Sequence, residues 1–347
     1  LPNPGRLSRA QGCLLGQLAG DSLGGLVEFQ TPREIAAQYP QGARMLADGG
    51  TWSTLAGQPT DDSEMALALA RSIVQSGHYD VEAAARAYAW WYDSGPFDMG
   101  STTQSALGPA ASAVRDRQSV AEAARRAAKT GSEANGALMR VSPLGVAGAG
   151  LPPGVVAEWA RADAELTHPH PVCQAANAVF AEAIAFTIRT GATPEEIYGH
   201  ALATATDTRA PGPVQDALTL ARDVPPADYT TQQGWVLIAL QNAFFQLLHA
   251  ASLEEGVVDT VMSGGDTDTN AAIAGALLGA VHGREAVPLQ WLDRILTCRP
   301  IAGLPGVKHP RPEAFWPVDA LWLAELLITA TGPCSSSGGE WGLARES

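Results

Sequence analysis

Two segments of the sequence carry glycines at intervals of four residues, and this spacing limits how the chain can fold. The glycines are Gly12, Gly16, Gly20 and Gly24 in the first segment, and Gly275, Gly279 and Gly283 in the second. Residues four apart lie on one face of an α-helix. A glycine in a helix interior costs about 0.8–1.0 kcal/mol relative to alanine, so we expect another backbone to approach that face closely. The spacing predicts two tightly packed central helices.

Alanine-rich segments with helical spacing recur along the whole chain, whereas strand-like alternation of apolar and polar residues is absent. These segments are 63–76, 80–92, 119–129, 153–165, 173–190, 235–250, 268–282 and 318–331. Clusters of proline and glycine separate them and are typical of helix ends. The pattern predicts an all-α fold with one domain over residues 7–330. The serine- and glycine-rich tail, 331–347, is predicted to be disordered.

The formal net charge of the chain is −14, and it has no run of lysine and arginine residues. Because binding to a phosphate backbone requires such positive charge, duplex nucleic acid is excluded as an expected partner. The four cysteines are far apart, and no secretory signal pattern is found. The longest stretch of small apolar residues, Ala271–Val281, is too short to cross a bilayer. We therefore expect a cytoplasmic protein without stable membrane insertion.

An acidic cluster, Thr60-Asp61-Asp62-Ser63-Glu64, stands directly before an amphipathic segment. Helix capping is one explanation for this cluster, because Asp61 and Glu64 have the spacing of a capping box. Acidic residues in a first helical turn are also stabilised by the helix dipole. The cluster alone is therefore compatible with either capping or metal binding.

A second cluster, residues 263–270, opens the second glycine-rich segment and places Asp266 and Asp268 within one turn. Two carboxylates this close repel each other unless a cation or a helix terminus neutralises them. An EF-hand is excluded, because Ala271 stands where the loop requires glycine and Leu277 stands where it requires glutamate. The cluster is compatible with another kind of metal-binding loop.

Together the two clusters offer only oxygen ligands, and Glu28 adds another carboxylate near the end of the first glycine-rich segment. Oxygen-only sites favour Mg²⁺, Mn²⁺ or Ca²⁺ over Zn²⁺. Two such ions about 3.5–4 Å apart can activate water and clamp vicinal hydroxyls. The candidate ligands are Thr60, Asp61, Asp62, Asp266, Asp268 and Thr269.

Four ordered motifs resemble the ADP-ribosylglycohydrolase family. They are residues 16–24 with Glu28-Phe29, then residues 60–65, then Asn135-Gly136-Ala137-Leu138-Met139-Arg140, then residues 264–269. The resemblance spans about residues 8–300. Within the family the chain is similar to the dinitrogenase reductase-activating glycohydrolases of bacteria, which are of the ADP-ribosylarginine hydrolase type.

This resemblance implies an orthogonal all-α fold with a binuclear Mg²⁺ or Mn²⁺ centre in a cleft. It assigns metal ligation to the six candidate ligands and places Glu28 beside a bridging water. It implies that the two ions bind the distal ribose of the substrate and activate water. The expected enzyme removes ADP-ribose from a mono-ADP-ribosylated protein and releases ADP-ribose as its product.

Residues 91–100 resemble the family loop that serves arginine-linked substrates, which would make Asp98 a catalytic or guanidinium-orienting carboxylate. A solvated aspartate in a turn of glycine and proline is the alternative. Gly100 and Ser101 of this loop would line the cleft.

Further substrate contacts follow from the resemblance. It assigns Asn135, Gly136, Met139 and His168 to the substrate cleft and Trp235 to stacking on adenine. Ser263, Gly264 and Gly265 lead into a helix N-terminus and are expected to contact the pyrophosphate of ADP-ribose. Helix N-termini suit such an anion. A zinc site formed by His168, His170 and Cys173 is an alternative for the first loop, as is an ordinary loop. Core packing is the alternative for Trp235.

Three functions are consistent with these motifs. The arginine-linked hydrolase is the main expectation, and a hydrolase of serine-linked ADP-ribose or of O-acetyl-ADP-ribose is the alternative with the same fold. A non-catalytic relative that binds metal or ADP-ribose is the third, since a fold does not fix function. Because every expected ligand is present, the sequence favours an enzyme.

Overall fold

The computed structural model describes residues 4–330, within which the chain forms sixteen α-helices and no β-strand. The helices are α1 (Arg6–Gly24), α2 (Pro32–Gln38), α3 (Asp61–Ser76), α4 (Val81–Asp93), α5 (Ser101–Arg115), α6 (Val120–Ala127), α7 (Ser142–Gly148), α8 (Val155–Glu165), α9 (Pro171–Thr190), α10 (Pro194–Asp207), α11 (Gly212–Ala221), α12 (Val236–His249), α13 (Leu253–Met262), α14 (Thr267–His282), α15 (Leu289–Thr297) and α16 (Ala320–Ala330). The all-α prediction is confirmed. The predicted disordered tail, 331–347, lies outside the described residues.

Helices α1 and α14 form the centre of the fold and run antiparallel along their full length. A Cβ atom on Gly16 would overlap the carbonyl oxygen of Gly275, and one on Gly12 would overlap that of Gly279. The pairing reaches the site end of both helices, where a Cβ atom on Gly24 would overlap the backbone of Asp268. The glycine spacing is thus explained by direct contact between two backbones, as predicted.

The helices that the sequence pattern missed are mostly short or interrupted. Helix α5 contains Gly108 and Pro109 in its interior. Because glycine and proline usually mark helix ends, they weaken the helical pattern of this segment. Helix α10 opens with a capping box in which the Thr193 hydroxyl and the Glu196 carboxylate accept hydrogen bonds from each other's backbone N–H groups. The spacing of Thr193 and Glu196 in the sequence is itself a helix-start signal.

Helix α9 is longer than the apolar stretch Ala271–Val281, and its length and mean hydropathy would allow it to cross a membrane. In the folded chain 83% of its apolar window is buried against other helices. Core helices of globular proteins have this same composition. The composition of α9 is therefore weak evidence for a membrane span.

Candidate functional site

A cavity of about 230 Å³ opens where the first turns of α3 and α14 meet. Its walls come from the turn after α1, the loop before α5, the 3₁₀ helix Asn135–Arg140 and the loop before α9. Twelve of the predicted site residues line it: Glu28, Asp61, Asp98, Gly100, Ser101, Asn135, Gly136, Met139, His168, Asp266, Asp268 and Thr269. Segments far apart in the sequence thus form one cleft.

The floor of this cleft is acidic. Asp61 and Asp62 occupy the first turn of α3, while Asp266 stands at the N-cap of α14 and Asp268 lies in its first turn. All four side chains are buried. One carboxylate oxygen from each of Glu28, Asp266 and Asp268 lies within 4.8 Å of the other two. Glu28 and the second acidic cluster therefore converge on one point, and Asp61 of the first cluster lines the same cavity.

Burial of these groups changes their protonation. Desolvation raises the pKa values of Asp61, Asp62 and Asp268 well above their usual range, and neighbouring carboxylates add to the effect. For Glu28, burial and then the charges of Asp98 and Asp266 raise the pKa to about 9. So much buried negative charge requires protons or cations for its neutralisation.

The chemistry of the cluster fits a hard divalent cation. The Oδ1 atom of Asp62 is buried and has no hydrogen-bond partner among the described residues. Both polar side-chain atoms of Asn270, in the first turn of α14, are likewise buried without a partner in residues 4–330. Such atoms are rare unless an ion or a water satisfies them. The surrounding carboxylate and hydroxyl oxygens are the ligand types that Mg²⁺ and Mn²⁺ prefer.

Asp21 supports the cluster from below, a role that sequence reasoning missed. Its carboxylate accepts hydrogen bonds from the backbone N–H groups of Thr60 and Ser63 at 3.1–3.2 Å, and from the Thr60 hydroxyl at 2.9 Å. It is fully buried on α1. Asp21 therefore caps α3 from another helix and fixes the side chain of Thr60. Its only sequence signal was an aspartate within the glycine stripe.

The capping-box explanation for the first cluster is wrong. Thr60, not Asp61, is the N-cap of α3, and its side chain makes no capping hydrogen bond. The Glu64 carboxylate instead accepts hydrogen bonds from Trp91 Nε1 and, through both oxygens, from Arg311, each at 2.8 Å. Arg311 lies beyond residues 8–300, over which the motifs resemble the family, and no motif linked it to this site.

Arg311 also holds the loop that carries Asp98. Its guanidinium donates to the carbonyl oxygen of Ser94 at 3.1 Å and to the Ser94 hydroxyl at 2.8 Å. In the same loop Phe97 stacks on His309, with ring centroids 4.5 Å apart. Burial and the charges of Asp266 and Asp21 raise the pKa of Asp98 to about 6. Asp98 thus faces the acidic floor of the cleft and is not a fully solvated turn residue.

Glu28 lies in a tight turn after α1 ends at Gly24. The next residue, Phe29, has φ of 66°, a left-handed conformation that costs a non-glycine residue about 1–2 kcal/mol. Its N–H donates to the carbonyl oxygen of Gly265 at 2.7 Å, and Gly265 N–H donates to Gln30 at 3.0 Å. Trp52 Nε1 donates to Glu28 Oε2 at 2.6 Å. The turn is held in place by the loop before α14.

Asn135 connects the 3₁₀ helix to the acidic floor. Its Nδ2 donates to Asp266 Oδ2 at 2.7 Å. Residue 136 is a glycine whose missing side chain leaves space for the ring of His168. The carbonyl oxygen of Met139 accepts a hydrogen bond from Gln17 of α1 at 2.9 Å. This segment is therefore anchored to both the central helix and the candidate metal ligands.

The remaining predicted site residues lie outside the cavity wall. Thr60 and Asp62 are buried beneath it. Trp235 is half-buried in the adjoining depression, where its Nε1 donates to Glu133 Oε2 at 2.8 Å.

Gly264 and Gly265 have φ near +75°, and a Cβ atom on Gly264 would lie 2.7 Å from the Gln30 carbonyl oxygen. The absence of side chains at Gly264 and Gly265 thus allows neighbouring backbone to pack closely against them. Contact of Ser263, Gly264 and Gly265 with a pyrophosphate stays a prediction.

Comparison with known protein families gives one match that spans most of the chain. A family model described as ADP-ribosylglycohydrolase matches residues 2–312. A solved structure titled "ADP-ribosylglycohydrolase-related protein complex" superposes with a TM-score of 0.75 at 25% sequence identity, covering 94% of this chain and 99% of that one.

Several curated proteins are similar over most of their length. The ADP-ribosyl-[dinitrogen reductase] glycohydrolase of Rhodospirillum rubrum is 32% identical over 298 residues, which cover 85% of this chain and 92% of that protein. An ADP-ribosylarginine hydrolase of Pseudomonas putida is 26% identical, covering 91% of this chain and 81% of the relative. A human ADP-ribosylhydrolase is 28% identical, covering 82% of this chain and 88% of the relative.

Proposed function

This chain belongs to the ADP-ribosylglycohydrolase family, and we propose that it removes ADP-ribose from arginine side chains of mono-ADP-ribosylated proteins with the help of two divalent cations. It is a hydrolase of the ADP-ribosylglycohydrolase type, as its relatives are named. Members of this family remove ADP-ribose from proteins. The linkage, the protein substrate and the two-cation chemistry are the parts that we propose.

The proposal assigns cation binding to the six oxygen ligands from the two acidic clusters, with Glu28 beside them. The convergence of Glu28, Asp266 and Asp268 and the unpartnered Oδ1 of Asp62 support this assignment. We propose Mg²⁺ or Mn²⁺ as the ions. When bound, divalent cations supply Lewis acidity and positive charge that offsets the carboxylates.

The observation that carries the arginine assignment is the position of Asp98. Its carboxylate lines the same cavity as Glu28 and Asp61, so a cationic group attached to the bound ribose would meet it directly. A guanidinium is planar and permanently charged, and a carboxylate can accept two of its N–H donors. A serine-linked substrate has no such donors. Asp98 would therefore favour arginine-linked ADP-ribose.

Proton transfer is assigned to Glu28. With cations bound, Glu28 would be ionised, and its Oε1, which Trp52 does not bond, would be available to take a proton from the attacking water. The oxygen of that water bonds to the anomeric carbon while the bond from this carbon to the guanidino nitrogen breaks. The proton then passes from Glu28 to the departing nitrogen. The products are ADP-ribose and an unmodified arginine.

The test is parallel incubation of the enzyme with arginine-linked and serine-linked ADP-ribosylated proteins, followed by mass spectrometry of the products. We expect the arginine linkage to be cleaved preferentially. Asp98→Asn should lower that turnover about a hundredfold, since it keeps the shape and removes the charge, while cation affinity changes little. Asp93→Asn is the matched control, because Asp93 is exposed and pairs with Arg115 on the surface.

Efficient cleavage of the serine linkage by the wild type, with arginine turnover unchanged in Asp98→Asn, would overturn the arginine assignment. That result would leave the membership of the family untouched. It would instead favour the serine-linked or O-acetyl-ADP-ribose alternative.

A further inference from the structure

His168 presents a nitrogen to the cleft that has no protein partner. The residue is 1% exposed, and its Nε2 is buried without a hydrogen bond among the described residues. A Cβ atom at residue 136 would lie 3.1 Å from this nitrogen, so the glycine there leaves the ring edge open to the cavity. A buried polar atom without a partner is costly unless a ligand satisfies it.

On the other side of the ring, Thr167 and Arg140 form a fully buried chain of hydrogen bonds. Arg140 pairs with Asp163, with Nε and Oδ2 3.0 Å apart. Its Nη1 donates to the Thr167 hydroxyl oxygen, also at 3.0 Å. A guanidinium can only donate hydrogen bonds. The oxygen of Thr167 must therefore act as the acceptor in this contact. The hydroxyl proton of Thr167 remains available for donation to a different acceptor.

The proton of the Thr167 hydroxyl decides the protonation of the imidazole. Thr167 Oγ1 lies 2.7 Å from His168 Nδ1. If the hydroxyl donates to Nδ1, both groups are satisfied. If Nδ1–H donates instead, the hydroxyl proton of Thr167 is buried without a partner in the described part of the chain. The first arrangement leaves fewer polar groups unpaired. It also keeps a proton away from the neighbouring Arg140 charge.

We propose that Thr167 is a positioning residue that, held by Arg140, fixes His168 as the neutral tautomer with its proton on Nε2. The cleft then presents a hydrogen-bond donor at this point and recognises an oxygen acceptor of the ADP-ribosyl group. The identity of that ligand rests on the proposed function, whereas the tautomer rests only on contacts within the protein. Which nitrogen carries the proton is a property that can be measured without any substrate.

The test is two-bond ¹H–¹⁵N NMR of the full-length protein labelled at histidine nitrogens, near neutral pH and without substrate. His168→Gln assigns the resonance among the seven histidines of the chain. We expect the Nε2–H pattern for His168 in the wild type and in Thr167→Ser, which keeps the hydroxyl. Thr167→Val keeps the shape but removes the donor, so its His168 should populate the Nδ1–H form.

Affinity for ADP-ribose, measured by calorimetry with Mn²⁺ present, gives the second readout. Thr167→Val should weaken binding about tenfold, and Thr167→Ser should restore it. An Nδ1–H pattern in the wild type overturns the proposal even if Thr167→Val does not fold. So does an Nε2–H pattern in a folded Thr167→Val with unchanged affinity. A wild type that has the Nε2–H tautomer but does not bind ADP-ribose supports the tautomer and overturns the proposed function.

Discussion

Glu64 and Arg311 form an ion pair at the edge of the candidate metal centre, with side chains only 1% and 2% exposed. Burial raises the pKa of Glu64 to about 7, although the hydrogen bonds and charge of Arg311 oppose the shift. A buried pair of this kind contributes little net stability, yet removal of one partner leaves a buried charge uncompensated. The pair fixes geometry, because it joins α3 to the loop that carries Asp98.

Arg311→Met should therefore lower the free energy of unfolding by about 3–5 kcal/mol, because it leaves the buried Glu64 carboxylate without its charge partner. Adding Glu64→Gln should recover part of that loss, because the buried charge is then gone. Urea denaturation of the single and double variants measures both effects. Arg115→Met is the control: the Arg115–Asp93 pair is 61% and 46% exposed, and its loss should cost less than about 1 kcal/mol. Equal costs for Arg115→Met and Arg311→Met would contradict this account.

Among the elements, the contact between α1 and α14 determines where the site ligands stand. Helix α1 carries Asp21, which caps α3, and α14 carries Asp266 and Asp268. Thr267 ties the two helices at their site end, because its hydroxyl donates to the Gly24 carbonyl oxygen at 2.7 Å. Separation of the helices would therefore shift the two acidic clusters relative to each other.

Gly16→Ala tests this contact, because the added Cβ would overlap the backbone of Gly275 and neither helix can yield by a side-chain rotation. We expect the free energy of unfolding to fall by about 1–3 kcal/mol, and Mn²⁺ affinity to fall with it. The matched control is Gly199→Ala in α10, where a Cβ meets nothing within 4 Å. There the substitution should stabilise by about 0.4–1 kcal/mol. A neutral Gly16→Ala, measured by chemical denaturation, would disprove the close packing.

On the scale of the whole molecule, the buried carboxyl groups couple stability to pH. Their folded-state pKa values, about 6 for Asp98, about 7 for Glu64 and about 9 for Glu28, lie above the values near 4 expected in an unfolded chain. A group whose pKa is raised by folding stabilises the protein fully below its unfolded pKa and loses that contribution as pH rises through the folded value.

The cation-free protein should thus become less stable as pH rises from about 5 to about 9. Bound cations favour the ionised carboxylates, so Mg²⁺ or Mn²⁺ should raise Tm most at the alkaline end of this range. Thermal melts with a chelator or with the metal, at several pH values, measure this difference, and Asp266→Asn should reduce it.

Chelation should also abolish release of ADP-ribose. A chelated protein with full turnover, or with Tm rising over this pH range, would contradict the cation assignment.

The sequence by itself determined the all-α class and predicted close contact between the backbones of two central helices. Helical periodicity and glycine spacing are local properties, and they indicate which face of a helix is buried and how closely a neighbour can approach it. The sequence also identified the acidic clusters, because the residue types alone show which side chains can supply oxygen ligands. Twelve of the predicted residues line the cleft in the folded chain, although their individual roles stay predictions.

Only the tertiary structure decided which partner each polar group meets. Asp21 bonds to Thr60, 39 residues away, and Arg311 to Glu64, 247 residues away. Even Thr167 and His168, adjacent in sequence, acquire their relationship from the distant Arg140. Local spacing cannot indicate such pairs, because the side chains meet only after whole helices have packed. Burial then changes the protonation of these groups, and burial is a property of the packed chain rather than of any residue type.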